Sequence, residues 1–313
     1  MKKAIVFLRS FGDFTIAISV LRKSSLQADY VFYASVHLEP LYNDLKAALP
    51  DIELNIQFID FGIRKKIFGY FTNKHSIELH SFRELMNLRR WLRGEGFKGL
   101  GVERFRGLGM KGEGIGVEGF KGLGSSGIQL FFEQRRKQWM IAPFMCKTFP
   151  YIHKKSRNIY DSYLAHFGVA PQMLAFQESP TAIHKILVLP ESRKKSKSFQ
   201  PSFIHELASS LTKQGFDVTT AFFKNIQTVP EGKVATHDSF ADLISLIQAA
   251  DLVITADSLP AHLSQLLHRP HFVCYEGNPN TEWLTPYARQ TKAFGVLGDV
   301  ARILEFIQPI AKT

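Results

Sequence analysis

The sequence predicts an α/β protein built on parallel sheet, and three observations carry that prediction. Short apolar runs alternate with longer amphipathic ones along most of the chain, the order that strand–helix–strand crossovers require. A founding strand followed by a turn and a helix occurs twice, once at the amino terminus and again at His184–Leu189. The chain has 313 residues, enough for two domains of ordinary size, each with a core of its own.

Taken in order, residues 3–8 read as a buried strand, Arg9-Ser10-Phe11-Gly12-Asp13 as a turn and residues 14–22 as a helix. Gly12 is free to take a positive φ there, and Asp13 is a candidate N-cap. Residues 30–35 predict a second strand, 39–49 a helix stopped by Pro50, and 52–59 a third strand. Residues 82–93 then predict a helix with a basic face.

Composition changes abruptly at Gly94. Thirteen of the 22 glycines fall within residues 94–127, and the nonapeptide beginning at Gly101 recurs at Gly116 with seven of nine positions identical. The G-x-G-x-x-G spacing starts at Gly94, Gly107, Gly114 and Gly122. A dinucleotide fingerprint must leave a strand and enter a helix, whereas these copies follow a basic helix and are flanked by more glycine, so they do not predict a cofactor site. The segment reads as a repetitive insert or loop with few residues able to build a core.

Residues 129–132 and 139–144 resume the sheet, and Asn158–Phe167 is a good amphipathic helix. Residues 171–183, with Pro171 and Pro180, have linker character. This divides the chain into residues 1–170 and 184–313. In the second half the strand at 184–189 ends at Pro190, a basic loop runs Glu191-Ser-Arg-Lys-Lys-Ser-Lys197-Ser-Phe199, and a helix at 203–214 is stopped by Gly215. A strand at 216–222 and a helix at 240–249 follow, and a helix at 302–310 closes the chain, with the option of packing back on the first domain.

The most informative stretch is Ile244–Tyr287. A helix leads into the apolar strand Leu252–Thr255, then Asp257-Ser258 open another helix with Pro260 in its first turn. Asp257 or Ser258 can cap that helix, and Pro260 costs no hydrogen bond there. Free N–H groups and the positive end of the dipole then face outward at the carboxyl end of a strand, where an open α/β sheet binds anions. A second strand at 271–275 and the turn Gly277-Asn278-Pro279-Asn280 complete the unit.

Composition narrows the function classes. Two cysteines, Cys146 and Cys274, far apart and without CxxC spacing, exclude a disulfide framework and a cysteine-based zinc site and fit a reducing compartment. No run of about 18 uncharged apolar residues is present, so no spanning helix is expected. The start imitates a secretory signal, but Arg9 and Asp13 interrupt it. The formal charge of +11 is gathered in clusters such as residues 89–93, 135–137, 154–157 and 193–197, which suit phosphate-bearing partners: nucleotide-sugar, anionic lipid or nucleic acid.

The order strand, Asp257-Ser258-Leu259-Pro260-Ala261-His262-Leu263, strand, Gly277 and Trp283-Leu284-Thr285-Pro286-Tyr287 resembles glycosyltransferase family 9, the heptosyltransferases of lipopolysaccharide assembly. Leu259 departs from the glycine usual at its position. The resemblance implies two Rossmann-like domains facing a cleft, the GT-B type, and inverting, metal-independent transfer from a nucleotide-sugar, with ADP-heptose the usual donor. No Asp-x-Asp occurs in the chain, which fits a metal-free reaction. By resemblance Asp13, from the strand–Gly-Asp–helix opening, is the catalytic base, and Lys197, Asp257, Ser258, Leu259 and His262 bind the donor. The family's acidic residue after the strand at 216–222 has no counterpart in Phe223-Lys224-Asn225-Ile226-Gln227, and nothing is carried over there. The implied acceptor is an anionic lipid-linked core glycan, met by a cytoplasmic enzyme in peripheral contact with the inner membrane. A nucleotide-sugar-binding homologue without activity is the alternative, and nucleic-acid binding ranks last for want of a recognition motif.

Overall fold

The computed structural model describes residues 3–7, 11–25, 30–59, 129–132, 158–176, 182–192, 194–224, 232–277 and 282–308. The expected helix at 82–93, the glycine-rich segment 94–127, the strand at 139–144, Cys146, the turn at 278–280 and most of the basic clusters lie outside these residues. Two compact units emerge. One comprises Met1–Leu8, Ala28–Glu39 and Asn55–Ile152, the other Arg9–Gln27, Pro40–Leu54 and His153–Thr313. Two amino-terminal segments thus group with the carboxyl-terminal part of the chain.

The first unit holds a four-stranded parallel sheet of order β3-β2-β1-β4, with β1 Lys3–Phe7, β2 Tyr30–Ser35, β3 Ile56–Ile59 and β4 Gln129–Phe132. Phe7, Phe32, Tyr33 and Ala34 are buried, as expected of interior parallel strands.

The second unit is built on a six-stranded parallel sheet of order β10-β9-β8-β5-β6-β7. Its strands are β5 Lys185–Leu189, β6 Asp217–Phe223, β7 Lys233–His237, β8 Leu252–Ala256, β9 His271–Tyr275 and β10 Phe294–Val296. Counted from β5 in chain order, this is the doubly wound arrangement 3-2-1-4-5-6, whose order reverses between β5 and β8. Every residue of β8 and β9 is buried, so both faces of the sheet are covered at its middle. The edge strand β7 is largely exposed, and β10 has only three residues. Neither was expected, since a short exposed strand carries little apolar signal.

Around this sheet lie α3 Ile159–Phe167, α4 Pro201–Lys213, α5 Phe240–Ala249, α6 Leu259–Leu266, α7 Pro286–Thr291 and α8 Val300–Ile307. Most starts are chemically marked. Asn158 caps α3, Ser239 caps α5, Thr285 caps α7 and Asp299 caps α8, each through a side-chain oxygen accepting a first-turn N–H. Gly215, with φ of +89°, follows α4 and permits the reversal that the sequence predicts. The final helix turns Val300, Ile303 and Ile307 into the core formed by Leu207, Leu211, Leu252 and Phe272, packing on α4 within its own unit.

Two helices from the amino-terminal part of the chain, α1 Phe11–Leu21 and α2 Glu39–Ala48, fall in this unit except for Glu39. Helix α1 begins at Phe11, three residues before the expected start. Gly12 is therefore helical rather than left-handed, and Asp13 is the third helical residue rather than the cap. All of α1 except Gly12 is buried, and it packs against α3 and α6. Within the expected linker, the Leu174 carbonyl accepts from Gln265 of α6 at 2.9 Å; residues 177–181 lie outside the described residues.

Candidate functional site

The reversal between β5 and β8 opens a crevice at the carboxyl ends of the strands, where ligands of such sheets bind. Two loops meet there. The loop after β5 turns through Lys195–Lys197, and its Lys197 ammonium pairs with the Asp257 carboxylate from the loop after β8. Phe199, buried beneath the loop against Phe203, anchors it: the Phe199 N–H donates to the Pro190 carbonyl at 2.8 Å. Ser196 donates to Glu276 beyond β9 at 3.0 Å, so the three loops after β5, β8 and β9 are linked by side chains.

Ser258 occupies the N-cap position of α6 in an extended conformation, but its side chain makes no capping bond. Its hydroxyl turns instead to the carbonyl of Ala256 at 3.3 Å. Asp257 is engaged by Lys197. The expectation that one of the two caps α6 is thus corrected: no side chain caps the helix start, where Pro260 has no N–H and Ala261 donates to the Ser258 carbonyl at 3.2 Å, leaving the Leu259 N–H to receive an anion. Leu259 begins the helix with an ordinary negative φ, so its side chain introduces no backbone strain there.

His262 lies one turn further along α6, 6% exposed. Burial pushes its pKa down to about 4, with Asp257 opposing and Lys197 reinforcing the shift, so the ring is neutral at pH 7. The Tyr160 hydroxyl lies 3.1 Å from His262 Nδ1. Tyr160 is fully buried and its ionisation is pushed far above the ordinary range by burial, so its O–H persists and needs an acceptor. Donation to Nδ1 satisfies it and leaves the proton of the neutral ring on Nε2, a donor beside Lys197 and Asp257.

Behind this histidine His271 is held by geometry. Its Nδ1 lies 2.8 Å from the Arg269 carbonyl, which only accepts, so Nδ1 carries the proton and Nε2 accepts from the Thr285 hydroxyl at 2.7 Å. Thr285 in turn caps α7, and Asn158 Nδ2 donates to the Leu284 carbonyl at 2.8 Å. The aromatic-proline run of the sequence thus buttresses the site.

Asp13 sits in the first turn of α1 and is 6% exposed. At the other end of that helix Arg22 reaches His268, just beyond α6, at 2.7 Å. Near its start Phe11 packs against Phe240, the first residue of α5, with ring centroids 4.9 Å apart and the rings tilted by 57°. Helices α1 and α6 therefore lie side by side with their carboxyl ends together and their amino ends toward the carboxyl edge of the sheet. Asp13 thus lies in the first turn of the helix that packs along α6.

Sequence reasoning missed two residues of this constellation. Tyr160 lies on a helix that reads only as amphipathic, and Glu191 looks like one member of a charged loop. Its carboxylate accepts the N–H of Phe223 at the end of β6.

The family model for glycosyltransferase family 9 (heptosyltransferase) matches residues 114–301, more than half of the chain. Among solved structures, the Escherichia coli heptosyltransferase WaaC with ADP aligns over 99% of this chain and 100% of its own at 15% identity and a TM-score of 0.57. A family 9 glycosyltransferase from Veillonella parvula gives 14% identity, 99% and 97% coverage and a TM-score of 0.58. The E. coli ADP-heptose lipopolysaccharide heptosyltransferase II gives 14%, 100% and 99%, and 0.56. No curated protein matches the chain significantly. At these identities the solved structures establish the fold, which is that of GT-B glycosyltransferases.

Proposed function

The chain belongs to glycosyltransferase family 9, the heptosyltransferases, and from that membership we propose an inverting, metal-independent transfer of a heptose-like sugar from an ADP-linked donor to a lipopolysaccharide core or related lipid-linked glycan. The observation that carries the donor half is the Lys197–Asp257 pair spanning the crevice where the doubly wound order reverses, beside an uncapped helix start. A diphosphate entering there exchanges its charge with that of Asp257 for the Lys197 ammonium. It also meets the Nε2–H of His262 and the Leu259 N–H at the start of α6. The structural neighbours include WaaC with ADP and a heptosyltransferase described by ADP-heptose, which supports the choice of nucleotide.

In the chemical step the Asp13 carboxylate accepts the proton of an acceptor hydroxyl, whose oxygen bonds to the anomeric carbon. The bond from that carbon to the phosphate oxygen breaks on the opposite face, and the electron pair leaves with the diphosphate. Lys197 and His262 meet the charge that develops, a role that here replaces a divalent cation. Support for Asp13 comes from its placement in the first turn of α1, the helix that packs on α6. The net charge of +11 suits an anionic acceptor and peripheral contact with the inner membrane from the cytoplasmic side.

The test incubates the enzyme with ADP-heptose and a heptose-deficient lipopolysaccharide core, with and without EDTA, and assigns the new anomeric configuration by NMR. Inverted product in EDTA, with turnover lowered by about 10²–10⁴ in Asp13→Asn and ADP binding retained, is expected. Retained configuration, loss of turnover in EDTA, or near-normal turnover of Asp13→Asn would each overturn the corresponding part.

A further inference from the structure

Strand β9 ends as a fixed post at the carboxyl edge of the sheet. All five of its residues are buried, and its last two carbonyls are taken: the Asp257 N–H donates to Cys274 at 3.0 Å and the Leu297 N–H to Tyr275 at 2.7 Å. Glu276 follows directly. The register that pairs Ala256 with Cys274 sets Ser258 level with Glu276 two residues on, so this carboxylate stands beside the start of α6. Its Oε2 accepts the Ser196 hydroxyl at 3.0 Å, which joins the end of β9 to the loop after β5, although β8 lies between the two strands.

That loop is secured unevenly. Its base is pinned within itself: the Phe199 N–H donates to the Pro190 carbonyl at 2.8 Å, and the Ser198 hydroxyl accepts from the Ser192 N–H at 3.0 Å. Its apex is the single turn Lys195–Lys197, closed by the Lys197 N–H on the Lys194 carbonyl at 2.9 Å, with Lys194, Lys195 and Ser196 exposed. Among the described residues two side-chain contacts hold this apex, Lys197 to Asp257 and Ser196 to Glu276. A diphosphate that takes the Lys197 ammonium from Asp257 removes the first. The second then fixes the turn while Lys197 is engaged with the ligand.

We infer that Glu276 is a positioning residue of the donor site, holding the Lys195–Lys197 turn through Ser196 so that the Lys197 ammonium stays beside the helix tip once a diphosphate has drawn it from Asp257. The inference rests on the donor site proposed above. Lysine carries its charge on a flexible four-carbon stem, so the place of that charge depends on where the backbone beneath it is held. A carboxylate makes a firm post, because a hydrogen bond to a charged acceptor is stronger than one to a neutral group, and with the turn held in advance little freedom is lost on binding. The charge of Glu276 itself opposes an anion. Positioning therefore requires that removal of Glu276 weaken the ligand, whereas repulsion alone would make its removal strengthen it.

The experiment measures calorimetrically the affinity of the full-length protein for ADP. Glu276→Ala and Ser196→Ala should each weaken ADP by about three- to tenfold, and the double variant should lose no more than either alone. Glu276→Gln still offers the Ser196 hydroxyl a carbonyl acceptor and should recover most of the loss. In a Lys197→Ala background Glu276→Ala should have no further effect, because Glu276 acts through that ammonium. Equal or tighter binding in Glu276→Ala, additive losses in the double variant, a Gln variant no better than Ala, or an undiminished loss without Lys197 overturns the assignment of Glu276 alone. Failure of wild type to bind ADP overturns the donor site and the assignment with it.

Discussion

Lys197 and Asp257 hold each other across the crevice, so each charge is partly spent before any ligand arrives. The pair is partly exposed, and its own contribution to stability is small. Its consequence lies in binding: Lys197→Ala should weaken ADP by roughly ten- to a hundredfold, with Lys197→Arg recovering part of the loss, as isothermal titration would record. Tyr160 acts one bond further back. Tyr160→Phe removes the donor to His262 Nδ1, leaving the neutral ring free to place its proton on either nitrogen. ¹⁵N NMR of wild type should show a single Nε2–H tautomer for His262 and of the variant a mixture, with ADP affinity falling several-fold. A mixed tautomer in wild type would refute the donor role given to Nε2. Both buried histidines also set a pH dependence. Burial, the dominant cause for each, holds His262 and His271 at about 4 in the folded protein, below the ordinary 6.5. The unfolded chain therefore binds more protons between those values, and stability rises with pH across that window. The two contributions are complete above about pH 6.5 and are lost as pH falls toward 4, at roughly 3 kcal/mol each at most. The slope of unfolding free energy against pH between 4 and 6.5, from urea titrations, should decrease in His271→Asn.

At the scale of elements, the helix that carries the proposed base and the helix whose tip is proposed to meet the donor are one packed pair. Arg22, with a side chain 4% exposed, joins their carboxyl ends through His268 and also lies 3.6 Å from Asp51. Arg22→Ala should cost about 1–3 kcal/mol in thermal or urea unfolding and lower kcat more than ADP affinity, because it loosens the seating of α1 while the crevice between β5 and β8 keeps its own residues. Equal losses in both would mean that α1 does not act as a separate lever. How legible these elements were depended on what defines them. Strands β8 and β9 and helix α4 were readable because they are apolar runs bounded by Asp257, Pro270 and Gly215. The start of α1 was misjudged because Phe11-Gly12 looks like a turn, yet both residues are helical in a helix buried on almost every side. The cap of α6 was misjudged for a different reason: Asp257 and Ser258 have the right side chains, but Lys197, sixty residues earlier, takes one and the Ala256 carbonyl the other. Long-range partners of that kind leave no mark on local sequence. The same holds for β7, whose ladder partner is β6.

At the scale of the molecule, the motif order in the second half was enough to reveal the family. Compactness groups α1 and Pro40–Leu54 with the carboxyl-terminal part of the chain. The physical reason is burial: Ile16, Ile18, Val20 and Leu21 are all fully buried, and α1 runs against α3 and α6 of that unit. Each such side chain stabilises by about 1.5–3 kcal/mol when removed from water, so α1 supplies an amount comparable to the whole stability of an ordinary domain. A fragment of residues 153–313 contains every described donor-site residue and the entire six-stranded sheet, yet lacks this helix. It should therefore be far less stable than the same residues in the full chain, bind a dye specific for exposed apolar surface, and regain compactness when a peptide spanning residues 9–27 is supplied in trans. Hydrogen exchange gives the decisive reading, since protection of α6 and α3 should be low in the fragment and rise on adding the peptide, with β6 and α4 less affected. A fragment that folds stably alone, with α6 already protected, would show that the sheet organises its own faces and that α1 is a passenger on them.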